Sequence, residues 1–174
     1  MAVDRPYRFS TIMVETYRIH RRRARDRSRE HANKFADDWR SRFGDNERIW
    51  GNAQGEPAQP LAPRTLADRA GRGYHSDAML DDPTLPHVAT YGQIKDSIEV
   101  KKIADTERGW ATDIRYEVST DHPIFPLNEY GIGVPQRMTL EPSRVEVAER
   151  FRHELRDDFG EVIAEVAQRY GAKK

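Results

Sequence analysis

The sequence predicts an α+β domain: a long N-terminal helix, a long loop, an antiparallel sheet of three to four strands and a C-terminal amphipathic helix. Three observations predict it. Ser10 to Phe43 holds neither proline nor glycine, Trp110 to Ser119 alternates strictly between apolar and polar, and apolar residues recur every three or four positions from Ala148 to Tyr170.

The first helix is favoured by its arginines and alanines. Ala32, Phe35, Ala36, Trp39 and Phe43 make one apolar stripe, so the C-terminal part of this helix should dock on a core. The earlier part carries Ile12, Met13 and Tyr17 and then almost only charge; it should project or lie against a partner. Gly44 to Thr90 is rich in Gly, Pro and Asn and lacks a lasting period, which predicts a long surface loop, with one short helix at Pro63–Ala70 and anchors at Met79 and Leu80. A loop this long is more often functional or ordered by a partner.

Ile98 and Val100 suggest a first strand within Gln93–Ile103, and Trp110, Thr112, Ile114, Tyr116 and Val118 give a second at period two. Ala104–Gly109 reads as the hairpin connection between them, and IFPLNEYGI (124–132) as a third strand, at an edge or broken because of Pro126. Ser143 reads as the start of the last helix, with SRVE as a capping box in which Glu146 reaches back. Ala148, Phe151, Leu155, Phe159, Val162, Val166 and Tyr170 form its apolar face, and Gly171 its stop. The implied organisation is a basic helix or arm (1–43), an extended loop region (44–92) and an α+β core (93–174) in a single domain overall.

Composition limits the function. The 174 residues are 37% hydrophobic and 33% charged, with a mean hydropathy of −0.89. That is polar for a compact monomer and suggests elements that reach a partner chain. The absence of cysteine excludes disulfides and thiolate metal sites. No apolar run approaches the roughly 20 residues of a membrane span, and MAVDRPYRFS lacks the apolar region of a signal peptide; the expectation is a soluble product that stays in the cytoplasm where it is made, with no membrane partner. Net charge is zero but uneven. Seven arginines stand between Arg18 and His31 against Asp26 and Glu30, and eight acids face five arginines from Glu141 to Tyr170. A basic first helix and an acidic last one suggest pairing, within a subunit or between neighbours, or else two solvated faces.

Signals for chemistry are weak. The six histidines are scattered and none lies in HExxH. His75 with Asp77, Asp81 and Asp82 is the best metal candidate, though a polar loop explains those residues as well. Asp121–His122 has no evident nucleophile partner, and neither GRG (71–73) nor GIG (131–133) is a dinucleotide fingerprint or a P-loop. The sequence therefore points to no catalytic residue, cofactor or metal. RRRARDRSR (21–29) suits phosphate backbones, although it lacks interleaved aromatics.

In order along the chain stand PLAPRT (Pro60–Thr65), Met79–Leu80, Tyr91–Gly92 with Ile94 and Asp96–Ile98, Glu129–Tyr130–Gly131, and then Pro135, Arg137, Leu140, Pro142 and Ser143 before the closing helix. From about Trp50 to the C-terminus this order resembles the head–tail joining and tail-completion proteins of tailed bacteriophages, also called virion morphogenesis proteins. Tyr91 stands where that family tends to have threonine, and MTLEPS replaces a more aromatic segment. Joining protein, tail terminator and tail-completion protein all stay open.

The resemblance implies a non-enzymatic virion component of the neck or tail, assembled in the host cytoplasm as a six-fold ring around the DNA channel. Its partners would be copies of itself, the head connector, adaptor or stopper proteins, the tail tube protein, and DNA passing without sequence recognition. Partner contacts would fall to Arg21, Arg22, Arg23, Arg25, Arg64, Glu129, Tyr130 and Arg137. In such a fold Gly131 and Gly133 would permit a tight turn or positive φ, Pro135 would stiffen the exit, and Pro142 and Ser143 would start the helix. Arg137 would offer a fork for a neighbour's carboxylate or for the acidic last helix. Two other classes remain: a small nucleic-acid-binding protein built on the arginine helix, and a metal-dependent hydrolase using His75 and the Asp77–Asp82 cluster.

Overall fold

A computed structural model describes residues 5–81, 94–108 and 111–170. Helix α1 (Arg5–Arg42) and helix α4 (Leu140–Arg169) run side by side. A short helix α2 (Pro63–Gly71), a hairpin of strands β1 (Glu99–Arg108) and β2 (Ala111–Ser119), and a short helix α3 (Phe125–Tyr130) lie between them in sequence. At 38 residues, α1 is about 57 Å long.

The core sits at the C-terminal end of α1. Ala36, Trp39 and Phe43 pack against Ile94 and Ile98, with Val100, Val118, Phe125 and Leu140 closing round them, as the apolar stripe requires. The Trp39 ring meets Phe125 edge-on at 5.2 Å. Its indole nitrogen donates to Thr139 Oγ1 at 2.9 Å, which ties α1 to the entry of α4.

The mixed helix-and-strand class holds, but among the described residues the sheet has two antiparallel strands rather than three to four. The expected third strand is helical. Pro126 lies in the first turn of α3, where a fixed φ and a missing N–H do no harm. The expected hairpin connection also shifts: Ala104–Arg108 continue β1 in register with β2, past an irregularity between Lys102 and Ala104. Arg108 still pairs with Ala111, and residues 109–110 lie outside the described residues.

The last helix starts earlier than Ser143. Thr139 is its N-cap residue and makes no side-chain cap. Ser143 is fully buried inside the helix, where its hydroxyl accepts from Arg42 Nε at 2.6 Å. Glu146 does not reach back; its two oxygens take Arg42 and Arg150. Two charged neighbours thus outcompete the local capping box. Gly171 lies outside the described residues.

Part of the expected loop is firmly stitched. Trp50 exchanges backbone hydrogen bonds with Met138, at 3.1 and 2.7 Å, and Ala58 N–H donates to the Ile49 carbonyl at 3.1 Å. A Cβ on Gly51 would stand 2.8 Å from the Pro57 carbonyl oxygen, so only glycine permits this close approach. Residues 82–93, including Asp82 and Tyr91–Gly92, lie outside the described residues.

Candidate interaction surfaces

The basic helix and the acidic helix pair within one chain. Asp158, only 3% exposed at its side chain, receives His20 Nδ1 at 2.9 Å and faces Arg27 at 3.3 Å and Arg23 at 3.6 Å. Arg23 also bonds Glu165 at 2.9 Å. Farther along, His31 and Lys34 face Glu154. The spacing 20, 23, 27, 31, 34 is one face of a 3.6-residue helix, so α1 presents a polar stripe to α4. Phe159 and Phe151 of α4 set their ring edges against His20 and His31. Burial pulls the His31 imidazole below its usual pKa, against the opposing pull of Glu154.

Arg25, on the other side of α1, reaches Asp105 of the hairpin at 3.5 Å. Arg22 is exposed and Arg21 half-buried. The arginine run is therefore divided between three internal acidic partners, Asp158, Glu165 and Asp105, and the surface. Arg64 is exposed in the first turn of α2. The residue that organises this segment is Arg69, which is buried, donates to the carbonyls of Ala78 and Met79, and lies 5.7 Å from the centre of the Tyr74 ring.

A charged node joins the end of α1 to the start of α4. Arg42, 3% exposed at its side chain, bonds Asp38 at 3.0 Å and Glu146 at 2.6 Å and donates to the Arg48 carbonyl at 3.0 Å. Arg48 closes the node onto Asp38. Burial alone would raise the Asp38 pKa, but Arg48, Arg42 and Ser143 hold it below the usual carboxylate range. Asp38 and Arg42 form a local i,i+4 pair, but nothing in the local pattern marks their link to Ser143 and Glu146, 101 and 104 residues from Arg42.

The loop 130–137 that follows α3 shows an inner and an outer face. Gly131 (φ +69°) ends α3 in the left-handed region and Gly133 (φ +72°) repeats it, as a tight turn after Tyr130 requires. Ile124, Leu127, Tyr130, Ile132 and Val134 point outward; Tyr130 is 66% and Ile132 56% exposed. Glu129 turns inward. Its carboxylate accepts the amides of Thr139 at 2.8 Å and of Leu140 and Glu141 at 3.3 Å, so it caps α4 from another element. Burial pushes the Glu129 pKa up, against the lowering effect of those amides.

Arg137 is buried as well, with 8% of its surface open. One Nη donates to the Pro135 carbonyl at 3.3 Å, and Nε is buried without an acceptor. No carboxylate pairs with it among the described residues; burial and the neighbouring Arg69 both lower its pKa. Pro142 is buried beside Ser143 in the first turn of α4, and Pro135 is exposed.

In the polar loop, Asp81 is engaged by Lys95 at 2.8 Å, and the Asp77 carbonyl accepts from Asn46. His75 is exposed. Among the described residues no three His, Asp or Glu side chains converge in a metal-holding arrangement, and no helix is long and apolar enough to cross a membrane. No protein-family model matches this chain, and neither does any curated protein or solved structure.

Proposed function

We propose that this chain is a non-enzymatic structural protein of a phage neck or tail end. It assembles as a ring, six-fold in the simplest reading, around the DNA channel. Connector, adaptor or stopper proteins lie on one side and the tail tube protein on the other. The observation that carries the reading is the clustering of exposed apolar side chains. Five of the twelve large hydrophobic residues exposed among the described residues lie between Ile124 and Val134. This is the segment that carries the EYG motif of the resemblance. An apolar patch on an otherwise strongly polar chain marks a surface that docks on protein. The two long helices bound edge to edge by charge supply a stiff body for such docking.

Deletion of the gene in its source genome, with the lysate imaged by negative-stain electron microscopy, tests the reading. Full heads beside separate tails, or tails of abnormal length, are the expected result. Normal infectious particles, or a source that yields no particles, would overturn it.

A second reading, a nucleic-acid-binding protein, is favoured by Arg22 and Arg29, which are exposed and carry no ion pair among the described residues. Its expected signature is duplex binding by the purified chain that weakens steeply with salt. Against it stands the internal pairing of Arg23, Arg25 and Arg27.

A further inference from the structure

Among the described residues Arg137 is a buried cation with a neighbouring cation and no anion. Its Nε has no acceptor, and Arg69 stands beside it rather than a carboxylate. A buried charge without a partner destabilises the chain that holds it. Such a residue is explicable when a partner delivers the missing charge. The loop that carries it offers the frame for that delivery: Tyr130, Ile132 and Val134, a few residues before it, are exposed, and tyrosine and arginine are among the side chains that most often anchor interfaces.

A second residue is equally unexplained within one chain. Gly160 lies in the interior of α4, where glycine weakens a helix relative to alanine. It is exposed, and a Cβ built there would meet nothing within 4 Å. Among the described residues no neighbour in its own chain requires its smallness. Ala164, one turn on, is also small and exposed, while Asp157 and Glu161 bracket the position as exposed carboxylates that make no ion pair among the described residues. A small, acid-flanked stretch of helix is the complement of an apolar loop with a cation at its base.

We infer that loop 130–137 of one copy docks on the Asp157–Ala164 face of a second copy, where a carboxylate of that face supplies the counter-charge of Arg137. The two surfaces differ, so the contact is head-to-tail and propagates to a closed ring or an open filament. The inference rests on the ring reading above and names the surfaces that would build it.

The test uses the full chain and three substitutions, with self-association followed by sedimentation and native mass spectrometry and stability by thermal unfolding. Arg137→Met should raise Tm by about 4 °C or more, since it removes an unpaired buried charge, yet weaken self-association about tenfold or more. Gly160→Ala should likewise raise Tm and weaken association. Tyr130→Ala should weaken association and leave Tm unchanged. A stabilised chain that associates less well is not expected of a merely structural arginine or glycine. If the wild type forms rings and the three variants form them equally well, the docking surfaces are wrong and the ring reading stands. If Arg137→Met lowers Tm, the unpaired-cation argument fails. If the wild type stays monomeric at every concentration, a second copy is not the occupant. Whether the chain then enters a ring with neck or tail neighbours decides the broader reading separately.

Discussion

Single residues carry the sharpest expectations. Gly131→Ala should destabilise by about 1–2 kcal/mol, because its φ of +69° is left-handed and the new Cβ would meet Gln136 Cβ at 3.1 Å. Gly133→Ala, with a similar φ but nothing within 4 Å, should cost about 1 kcal/mol or less. Urea unfolding of the pair separates backbone strain from contact, and equal losses would show that contact is irrelevant. Thr16 is fully buried and its hydroxyl has no partner among the described residues. Thr16→Val should therefore be neutral or stabilising by up to about 1 kcal/mol, and a clear loss would mean that the hydroxyl is satisfied. Glu129 gives the pH dependence. Its folded pKa lies above the ordinary 4.5 because burial outweighs the amides. The stability it contributes is thus full below the unfolded pKa and is lost as pH rises through the folded one. Relative to Glu129→Gln, the wild type should gain stability as pH falls through the carboxylate range. A wild type that instead loses ground would show that the three amides hold the carboxylate ionised.

At the scale of elements, the α1–α4 seam predicts an asymmetry. Asp158→Asn releases Arg23 and Arg27, whose side chains are 36% and 48% exposed and can take up water, so about 1 kcal/mol should be lost. The double variant Arg23→Ala, Arg27→Ala leaves a buried carboxylate with only His20, and about 3 kcal/mol should go. Chemical denaturation of both variants checks the order, and equal effects would mean that Asp158 is well hydrated. The elements themselves were legible to different depths. The stripe through Ala36, Trp39 and Phe43, the alternation of β2 and the face through Val162 and Val166 are local patterns with a single period, and each element lies where its period puts it. Phe125–Tyr130 misled because Phe, Leu and Tyr suit a strand as well as a helix, and six residues are too few to show a period. Pro126 and Gly131 bracketed it as helix boundaries all the same. The Ser143 capping box failed for another reason. Arg42, 101 residues away, claims both the serine and the glutamate, and no local rule reports a competitor so distant. For the same reason the pairing of His20 and Arg27 with Asp158 was visible only as opposite net charge on two helices. The inward turn of Glu129 and the isolation of Arg137 were not visible at all.

The whole molecule is a charged pair of helices with one apolar cluster at the C-terminal end of α1, a second about Ile49, Ala58 and Met79, and an apolar outer loop at 124–134. The core holds the last turns of α1 through Trp39 and Phe43, while the stretch from His20 to Lys34 meets α4 through imidazole, guanidinium and ammonium groups. These two regions should respond differently to solvent. Raising salt toward about 1 M shortens the screening length to about 3 Å and should increase amide hydrogen exchange in residues 20–34 more than in residues 36–43. Uniform exchange across α1 would show that the helix opens as one unit. Heat capacity extends the contrast. Uncovering apolar surface raises it and uncovering polar surface lowers it, so parting α1 from α4, which frees charged groups together with the Phe151 and Phe159 rings packed on His31 and His20, gives two contributions that partly cancel. Calorimetry would register that opening with a smaller step in baseline, for the area uncovered, than the opening of the Trp39 end. The seam's strength would then change less between cold and warm conditions than that of the Trp39 end, which like any apolar core weakens on cooling.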